Sequence, residues 1–327
     1  MPIPTATTQP TAPTPYPPVH LSDWGVLSVT GDDACTFLQG QLTNDVALMP
    51  VATACLAGYC SAKGRLLASF VVLKRAPNDF LLLLSKDLLE PTAKRLKMFI
   101  MRAKCTLADE SANWDLLGEQ TAETSDALHQ MPAWSVVFEN TETLIRLPSA
   151  NVAQGVRLRP AEPSSDAPVV ANESDASTAL AIWHFNRALS GVAMVVTATV
   201  ESFVPQMLNY ESTQGVSFKK GCYPGQEIVA RSQFRGAIKR RAAVFVAADP
   251  SHSLALAVGQ EVFARDEDGV WQACGLVAAV GYNPQLAAWG LTVSLQLTHA
   301  NDALTVGNPD GIALTPQPLP YEILLDI

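Results

Sequence analysis

The segment 54–74 constrains the fold more than any other. An apolar run leads into the turn Ala62-Lys63-Gly64-Arg65, and a second apolar run, 66–73, leads out. A glycine-bearing turn this short between two such runs closes an antiparallel hairpin rather than a parallel crossover. A third strand at 80–84 follows the turn Pro77-Asn78-Asp79, so the pairing continues by hairpin. Upstream, 26–29 reads as a short strand, and Gly31-Asp32 supplies a turn and a helix cap ahead of Cys35, Phe37 and Leu38. Leu89, Thr92, Leu96, Phe99 and Ile100 recur at helical spacing, and 105–107 can return as a strand. Hairpin-linked strands with interspersed helices, no βαβ repeat and no glycine-rich phosphate loop predict an α+β class.

Composition divides the rest of the chain. The first 18 residues hold seven of the 23 prolines, five threonines and no charge, which predicts a disordered tail. They carry neither the basic start and leucine-rich stretch of a secretory signal nor the arginines of a transit peptide, so a cytoplasmic protein is expected. The middle, 109–177, is polar, with a proline- and acid-rich loop around 161–175. The helix expected at 179–189 places Trp183, Asn186 and Arg187 near one another and ends at Gly191. Beyond Arg241, six or so short strands alternate with turns such as Asp266-Glu267-Asp268-Gly269, the pattern of a small barrel or sandwich. The predicted layout is a tail at 1–18, an α+β region at 19–241 and a β-barrel at 242–327. With 327 residues, 48% of them hydrophobic, the chain can bury a large core in two or three units. The longest apolar run, 192–200, is far short of a membrane span, so no membrane partner is expected. Six cysteines without paired metal spacing read as reduced thiols and predict no metal site.

A net charge of −9 argues against direct nucleic-acid binding, yet one stretch is strongly basic. Between Lys219 and Arg241 stand seven basic residues and one acid, a local balance of +6. A solvated helix face is the plain alternative; an anion site is the stronger reading. Gly221 and Pro224-Gly225 form a tight turn, and 226–234 reads as the following helix, whose N-terminus offers free N–H groups and partial positive charge. Cys222 lies in that turn, two residues after Lys220. Both neighbours favour thiolate over thiol, so Cys222 is read as reactive rather than as a small core residue. The other five cysteines lie in apolar or alternating runs and are assigned to the core.

The run Lys220-Gly221-Cys222-Tyr223-Pro224-Gly225-Gln226-Glu227 matches the K-G-C-Y-x-G-Q-E signature, and here the chain resembles the YgfZ family of folate-binding proteins. These are related in fold to the glycine-cleavage T-protein, an aminomethyltransferase. Asp23-Trp24, the Leu38-Gln39-Gly40-Gln41-Leu42-Thr43-Asn44-Asp45 core of 31–46, Ser61-Ala62-Lys63-Gly64-Arg65, Phe203-Val204-Pro205-Gln206 and Leu319-Pro320-Tyr321 look like the family's flanking motifs, in order. The resemblance implies a T-protein-like ring of three units around a central folate pocket. Two intertwined subdomains would make up 19–241, and the last unit would be the barrel. It implies tetrahydrofolate, polyglutamylated in the cell, as the cofactor. Trp24 and Trp183 match tryptophans that line the folate site, and indole suits this because it stacks on a flat heterocycle and adds a donor. Backbone groups and Asn44 would meet the pterin, Arg187 would also belong to the folate site, and Arg231 and Arg235 would meet the glutamyl carboxylates. Gly221, Tyr223, Gly225, Gln226, Glu227, Lys63 and Arg65 would support the motif, with Lys220 assisting Cys222 in catalysis.

Departures from the aminomethyltransferase matter equally. Its aspartate pair aligns with Leu67 and Ala68, and the pterin-side glutamate of its helix motif aligns with Leu189. Cys222 is an addition. Three functional classes follow: a folate-dependent accessory factor for iron–sulfur enzymes, including the methylthiotransferases that modify tRNA; a one-carbon (aminomethyl-type) transferase; and a passive folate-binding module. The missing carboxylates weigh against the second, and Cys222 weighs against the third. The link to tRNA is expected through a partner enzyme.

Overall fold

The computed structural model describes residues 16–162, 173–234, 238–251, 255–265 and 269–324. Strands β1 (Val19–His20) and β2 (Trp24–Thr30) come first, then helix α1 (Ala34–Gln39) and the hairpin of β3 (Thr53–Cys60) and β4 (Leu66–Ala76). Strand β5 (Asp79–Ser85), helix α2 (Leu89–Ile100) and β6 (Thr106–Asp109) complete the first unit. Its antiparallel sheet has the order β3-β4-β5-β2-β6, with Leu56 opposite Val71 in the hairpin. Phe80 and Leu81 through Leu84 are all buried, so β5 is covered on both faces, which is why it reads as a continuous apolar run and not an alternation. The tail segment 1–15, the loop 163–172 and the turn residues 266–268 lie outside the described residues.

The polar middle is a second sheet. It comprises β7 (Trp114–Thr121), β8 (Val136–Glu139), β9 (Glu142–Leu147) and β10 (Ala153–Pro160), with α3 (Ala127–Gln130) between β7 and β8 and β1 at one edge. Its charges sit on one face as cross-strand partners. Arg157 on β10 pairs with Glu119, with Glu139 at 2.8 Å and with Glu142 at 3.1 Å. Alternating burial along β7 shows one face to the core and one to this ion-pair network. The polarity that hides these strands in the sequence is the solvent face of an antiparallel sheet.

Helix α4 (Glu173–Leu189) begins earlier than expected, and α5 (Gln226–Phe234) occupies the span read from the sequence. The chain then enters β11 (Arg240–Ala248), β12 (Glu261–Arg265), β13 (Trp271–Asn283), β14 (Ala288–Gln296), β15 (Leu304–Val306) and β16 (Ile312–Gln317), a closed six-stranded barrel. Two sheets with helices and a barrel make the chain an α+β protein. No described helix is long and apolar enough to cross a membrane. Among the described residues, no cluster of three His, Cys, Asp or Glu is placed to hold a metal ion.

Helix α4 joins the units. It lies against the second sheet, where Asn186 Nδ2 donates to Gln120 Oε1 at 2.9 Å and Gln154 Nε2 donates to the Trp183 carbonyl at 3.2 Å. On its other side Thr292 Oγ1 donates to the Ala188 carbonyl at 2.5 Å. Approach to the barrel is close because Gly281 has no side chain. A Cβ there would stand 2.1 Å from the Phe185 nitrogen and 2.3 Å from the His184 carbonyl carbon. Gly281→Ala should therefore push α4 off the barrel and cost about 1–3 kcal/mol in urea unfolding. Gly40→Ala, whose Cβ meets nothing nearer than 3.5 Å, should stay within about 0.5 kcal/mol of wild type. Equal stability of the two variants would contradict this account of the junction.

Candidate functional site

Two sequence motifs meet through paired glycines. Gly64, in the β3–β4 turn, has φ +68°, and Gly225, ahead of α5, has φ +79°. A Cβ on Gly225 would lie 2.4 Å from the Ser61 carbonyl and 2.6 Å from Gly64 Cα; one on Gly64 would lie 2.9 Å from Ile228 Cβ. Backbone packs on backbone here, which L side chains would prevent in both space and conformation. Gly221 differs, since a Cβ there would meet nothing within 4 Å. Gln226 closes the turn, its Nε2 donating to the Lys220 carbonyl at 3.4 Å. Lys63, Cys222 and Glu227 stand exposed on these docked turns, and Tyr223 is buried beneath them. Arg65 Nη1 donates to the Ser202 carbonyl at 2.7 Å, pinning the hairpin to the preceding segment.

Lys220 turns inward. Its Nζ donates to the carbonyls of Gln39 at 2.6 Å, Leu42 at 2.5 Å and Asn44 at 3.0 Å, the loop that follows α1. The same ammonium lies 5.2 Å from the centre of the Tyr223 ring. Burial lowers its pKa to about 8, against the pull of Asp45 and Cys55. Because its three protons are spent on three carbonyls, Lys220 is a positioning residue of this loop and not an acid–base partner of Cys222.

Cys222 is the exposed one of the six cysteines. Burial pushes the thiols of Cys55 and Cys60 up to about 12 and that of Cys274 to about 11.

A cavity of about 270 Å³ opens between the first sheet, α4 and the barrel. Trp24 and Trp183 line it together with Asp23, His184, Arg187 and Met194, and Ala278 to Val280 of β13 form the barrel wall. Trp183 is fully buried, its ring face packed on Gly118 of β7, and its Nε1 has no hydrogen-bond partner. Arg187 donates to the carbonyls of Pro148 at 2.8 Å and Val192 at 3.2 Å. Burial holds its pKa down to about 10, and Arg146 adds repulsion. Among the described residues, no carboxylate pairs with it. His184 Nε2 lies 3.4 Å from Asp23 Oδ2, and burial lowers the histidine pKa. The wall thus draws on two indoles, a cation, a carboxylate and an imidazole. Those groups suit a flat heterocycle with ring donors and acceptors.

Other predicted ligands fall elsewhere. Asn44 does not reach this cavity: its Nδ2 donates to the carbonyls of Leu56 at 2.7 Å and Gln214 at 2.6 Å, and it lines a separate hollow with Cys55 and Trp134. Its role is to hold the 42–46 loop. Arg231 is exposed and lines a different cavity with Gln206 and Arg240. Arg235 lies outside the described residues. Leu67 and Leu189, which align with carboxylates of the aminomethyltransferase, are half-buried, and Ala68 is buried. The sequence reading gave no role to Asp23 and His184, although each adjoins a tryptophan that it singled out; that adjacency was the available signal.

The chain is 31% identical over 325 residues to the tRNA-modifying protein YgfZ of Edwardsiella ictaluri, covering 93% of this chain and 92% of the relative. It is 30% identical over 316 residues to the tRNA-modifying protein YgfZ of Photorhabdus laumondii, again covering 93% and 92%. No protein-family model matches the chain. Among solved structures, the glycine cleavage system aminomethyltransferase T from Bartonella henselae aligns with a TM-score of 0.63 over 93% of this chain and 85% of that one. At 14% identity this is a likeness of fold.

Two predictions follow from the geometry. Gly225→Ala should lose at least about 2 kcal/mol in thermal unfolding, and Gly221→Ala at most about 0.5 kcal/mol. For Lys220, the folded chain releases the proton near pH 8, whereas the ordinary value is 10.5. Between those pH values the unfolded state binds the extra proton, so by this group alone stability rises with pH across that window. Urea midpoints from pH 7 to 10 should show Lys220→Met destabilised by at least about 2 kcal/mol at pH 7, because the carbonyls lose their donor. The same variant should lack the alkaline rise, and parallel curves for the two proteins would refute the assignment.

Proposed function

Since the chain belongs to the family of the tRNA-modifying protein YgfZ, we propose that it is a tetrahydrofolate-binding accessory factor for the assembly or repair of iron–sulfur enzymes, including those that thiomethylate tRNA. One observation carries the folate reading: the cavity between the first sheet, α4 and the barrel, lined by Trp24 and the buried Trp183 whose Nε1 has no partner. A buried donor without a partner is costly, and a ligand acceptor that reached it would recover that cost. The pterin would lie between the indoles, with Asp23 available to accept from its ring donors and Arg187 to face an oxo group. The T-protein-like fold supports the same ligand.

The exposed Cys222 supports an accessory role over a passive module, because the docked turns present its thiol to partners while the remaining thiols are partly or fully buried. The tRNA connection runs through a client enzyme, in keeping with the net charge of −9. The protein acts in the cytoplasm in this reading. A second reading, one-carbon transfer to an amine, is favoured by a single feature, the Asp23–His184 pair in the cavity wall. Leu67 and Ala68 weigh against it, since they leave no carboxylate where the aminomethyltransferase has one.

Tetrahydrofolate should quench tryptophan fluorescence saturably, and Trp24→Ala should weaken binding at least about tenfold. The polyglutamylated form should bind more tightly, with an advantage that shrinks as salt rises. Absence of saturable binding in calorimetry would remove the folate reading. Iodoacetamide should modify Cys222 first of the six cysteines. Cys222→Ser should retain folding and folate affinity yet fail to restore tRNA thiomethylation in a strain lacking the native factor; full complementation would favour the passive module. Turnover in a reconstituted glycine-cleavage assay would favour the transferase.

A further inference from the structure

Two cavities outside the tryptophan-lined one share the walls Met207 and Arg240. The first, about 260 Å³, is bounded also by Arg65 and Ser294; the second, about 300 Å³, by Arg231, Lys239 and Gln206. Four cations thus line two adjoining cavities, and no Asp or Glu stands among the lining residues of either. Among the described residues none of the four forms an ion pair. In a chain of net charge −9, four cations without a carboxylate beside them make a local positive field that attracts an anion.

Two buried polar atoms sharpen the chemistry. Gln206 is wholly buried, with its Nε2 donating to the Val229 carbonyl at 2.7 Å and its Oε1 without a partner. Ser294 is wholly buried too, and its Oγ has no partner. An amide oxygen accepts and cannot donate, so the group that satisfies Gln206 Oε1 must carry an N–H or O–H. No residue lining these cavities also lines the tryptophan-walled cavity.

We propose that these adjoining cavities together form a second ligand site, for a small molecule bearing two or more anionic groups together with an N–H or O–H donor. Arg240 lies at the junction and holds the ligand from both sides; Arg231 and Lys239 meet one anionic group, Arg65 another, and Gln206 accepts from the donor. Two sources have this chemistry: a phosphorylated small molecule, and a γ-glutamyl chain with its carboxylates and amide N–H groups.

Calorimetry on the full-length protein distinguishes them, with pyrophosphate as one probe and free tri-γ-glutamate as the other. At least one should bind saturably at one site per chain and weaken as salt rises. Arg231→Gln should reduce affinity at least about tenfold, the loss of one charge-assisted contact. As Arg231 is exposed and unpaired, this variant should fold with an unchanged melting temperature. Gln206→Met should weaken the same probe while leaving the salt dependence intact. Trp24→Ala should weaken tetrahydrofolate at least about tenfold and leave probe binding unchanged, and an unmutated protein that binds the probe but not tetrahydrofolate would sink the folate reading alone. Binding of pyrophosphate would assign a separate phosphorylated ligand, and binding of tri-γ-glutamate alone a polyglutamate chain. Silence of both probes, or binding insensitive to Arg231→Gln, would overturn the second site.

Discussion

The buried ammonium of Lys220 is the interaction on which the arrangement of the motifs depends. Three carbonyls of the loop after α1 converge on it, at 2.5–3.0 Å, from a stretch nearly 180 residues earlier in the chain. A loop whose carbonyls point inward needs a donor that can serve several at once, and a lysine supplies three protons on one atom. Burial of the charge is unfavourable by itself, as its lowered pKa records. The carbonyl cage and the Tyr223 ring offset that cost. Thr43 reinforces the seam: its Oγ1 donates to the Gly215 carbonyl at 2.6 Å and accepts from the Gly58 nitrogen at 2.7 Å. Lysine here works as an internal fastener, and its sequence neighbour Cys222 is thereby held at the surface.

From that seam the other features take their places. With 39–44 fastened to Lys220, the turn ahead of α5 can dock through Gly225 onto Gly64. Helix α4 occupies the gap between the second sheet and the barrel because glycines stand at each contact, Gly118 under Trp183 and Gly281 under Phe185. The tryptophan-walled cavity is the space left where these units do not quite meet. Its walls come from β2, α4, the 192–196 segment and β13, so no unit could make it alone. The basic cavities arise similarly, between the β3–β4 turn, α5 and the barrel.

Much of this was legible in the residues. The β3–β4 hairpin, β5, α5 and the barrel all announce themselves by apolar periodicity and turn chemistry, which are local signals. The second sheet was not, because Glu119, Glu139, Glu142 and Arg157 look like a solvated loop until strand pairing sets them opposite one another. The structure brings Trp24 and Trp183 to one cavity and sets Asn44 and Arg231 on others, since their destinations depend on contacts far away in the chain. Lys220 is the most instructive case. Its proximity to Cys222 along the chain suggested an electrostatic partner; its side chain leaves in the other direction. The orphaned polar atoms of Trp183, Gln206 and Ser294 have no sequence signature, because satisfaction of a hydrogen bond is a property of the packed structure.

In the proposed reading, a T-protein-like fold without carboxylates at Leu67 and Ala68 binds folate in the cavity and works through the thiol presented at the surface. That account requires the cavity to take a folate. The most direct test is the indole N–H spectrum of protein carrying ¹⁵N-tryptophan, titrated with tetrahydrofolate. The Trp183 signal should move downfield as its Nε1 gains an acceptor, and Trp24 should shift with it at the same saturation. Trp289, whose Nε1 already donates to Asp249 Oδ2 at 3.1 Å in the barrel, should stay fixed. Unmoved Trp24 and Trp183 signals at saturating tetrahydrofolate would contradict the account.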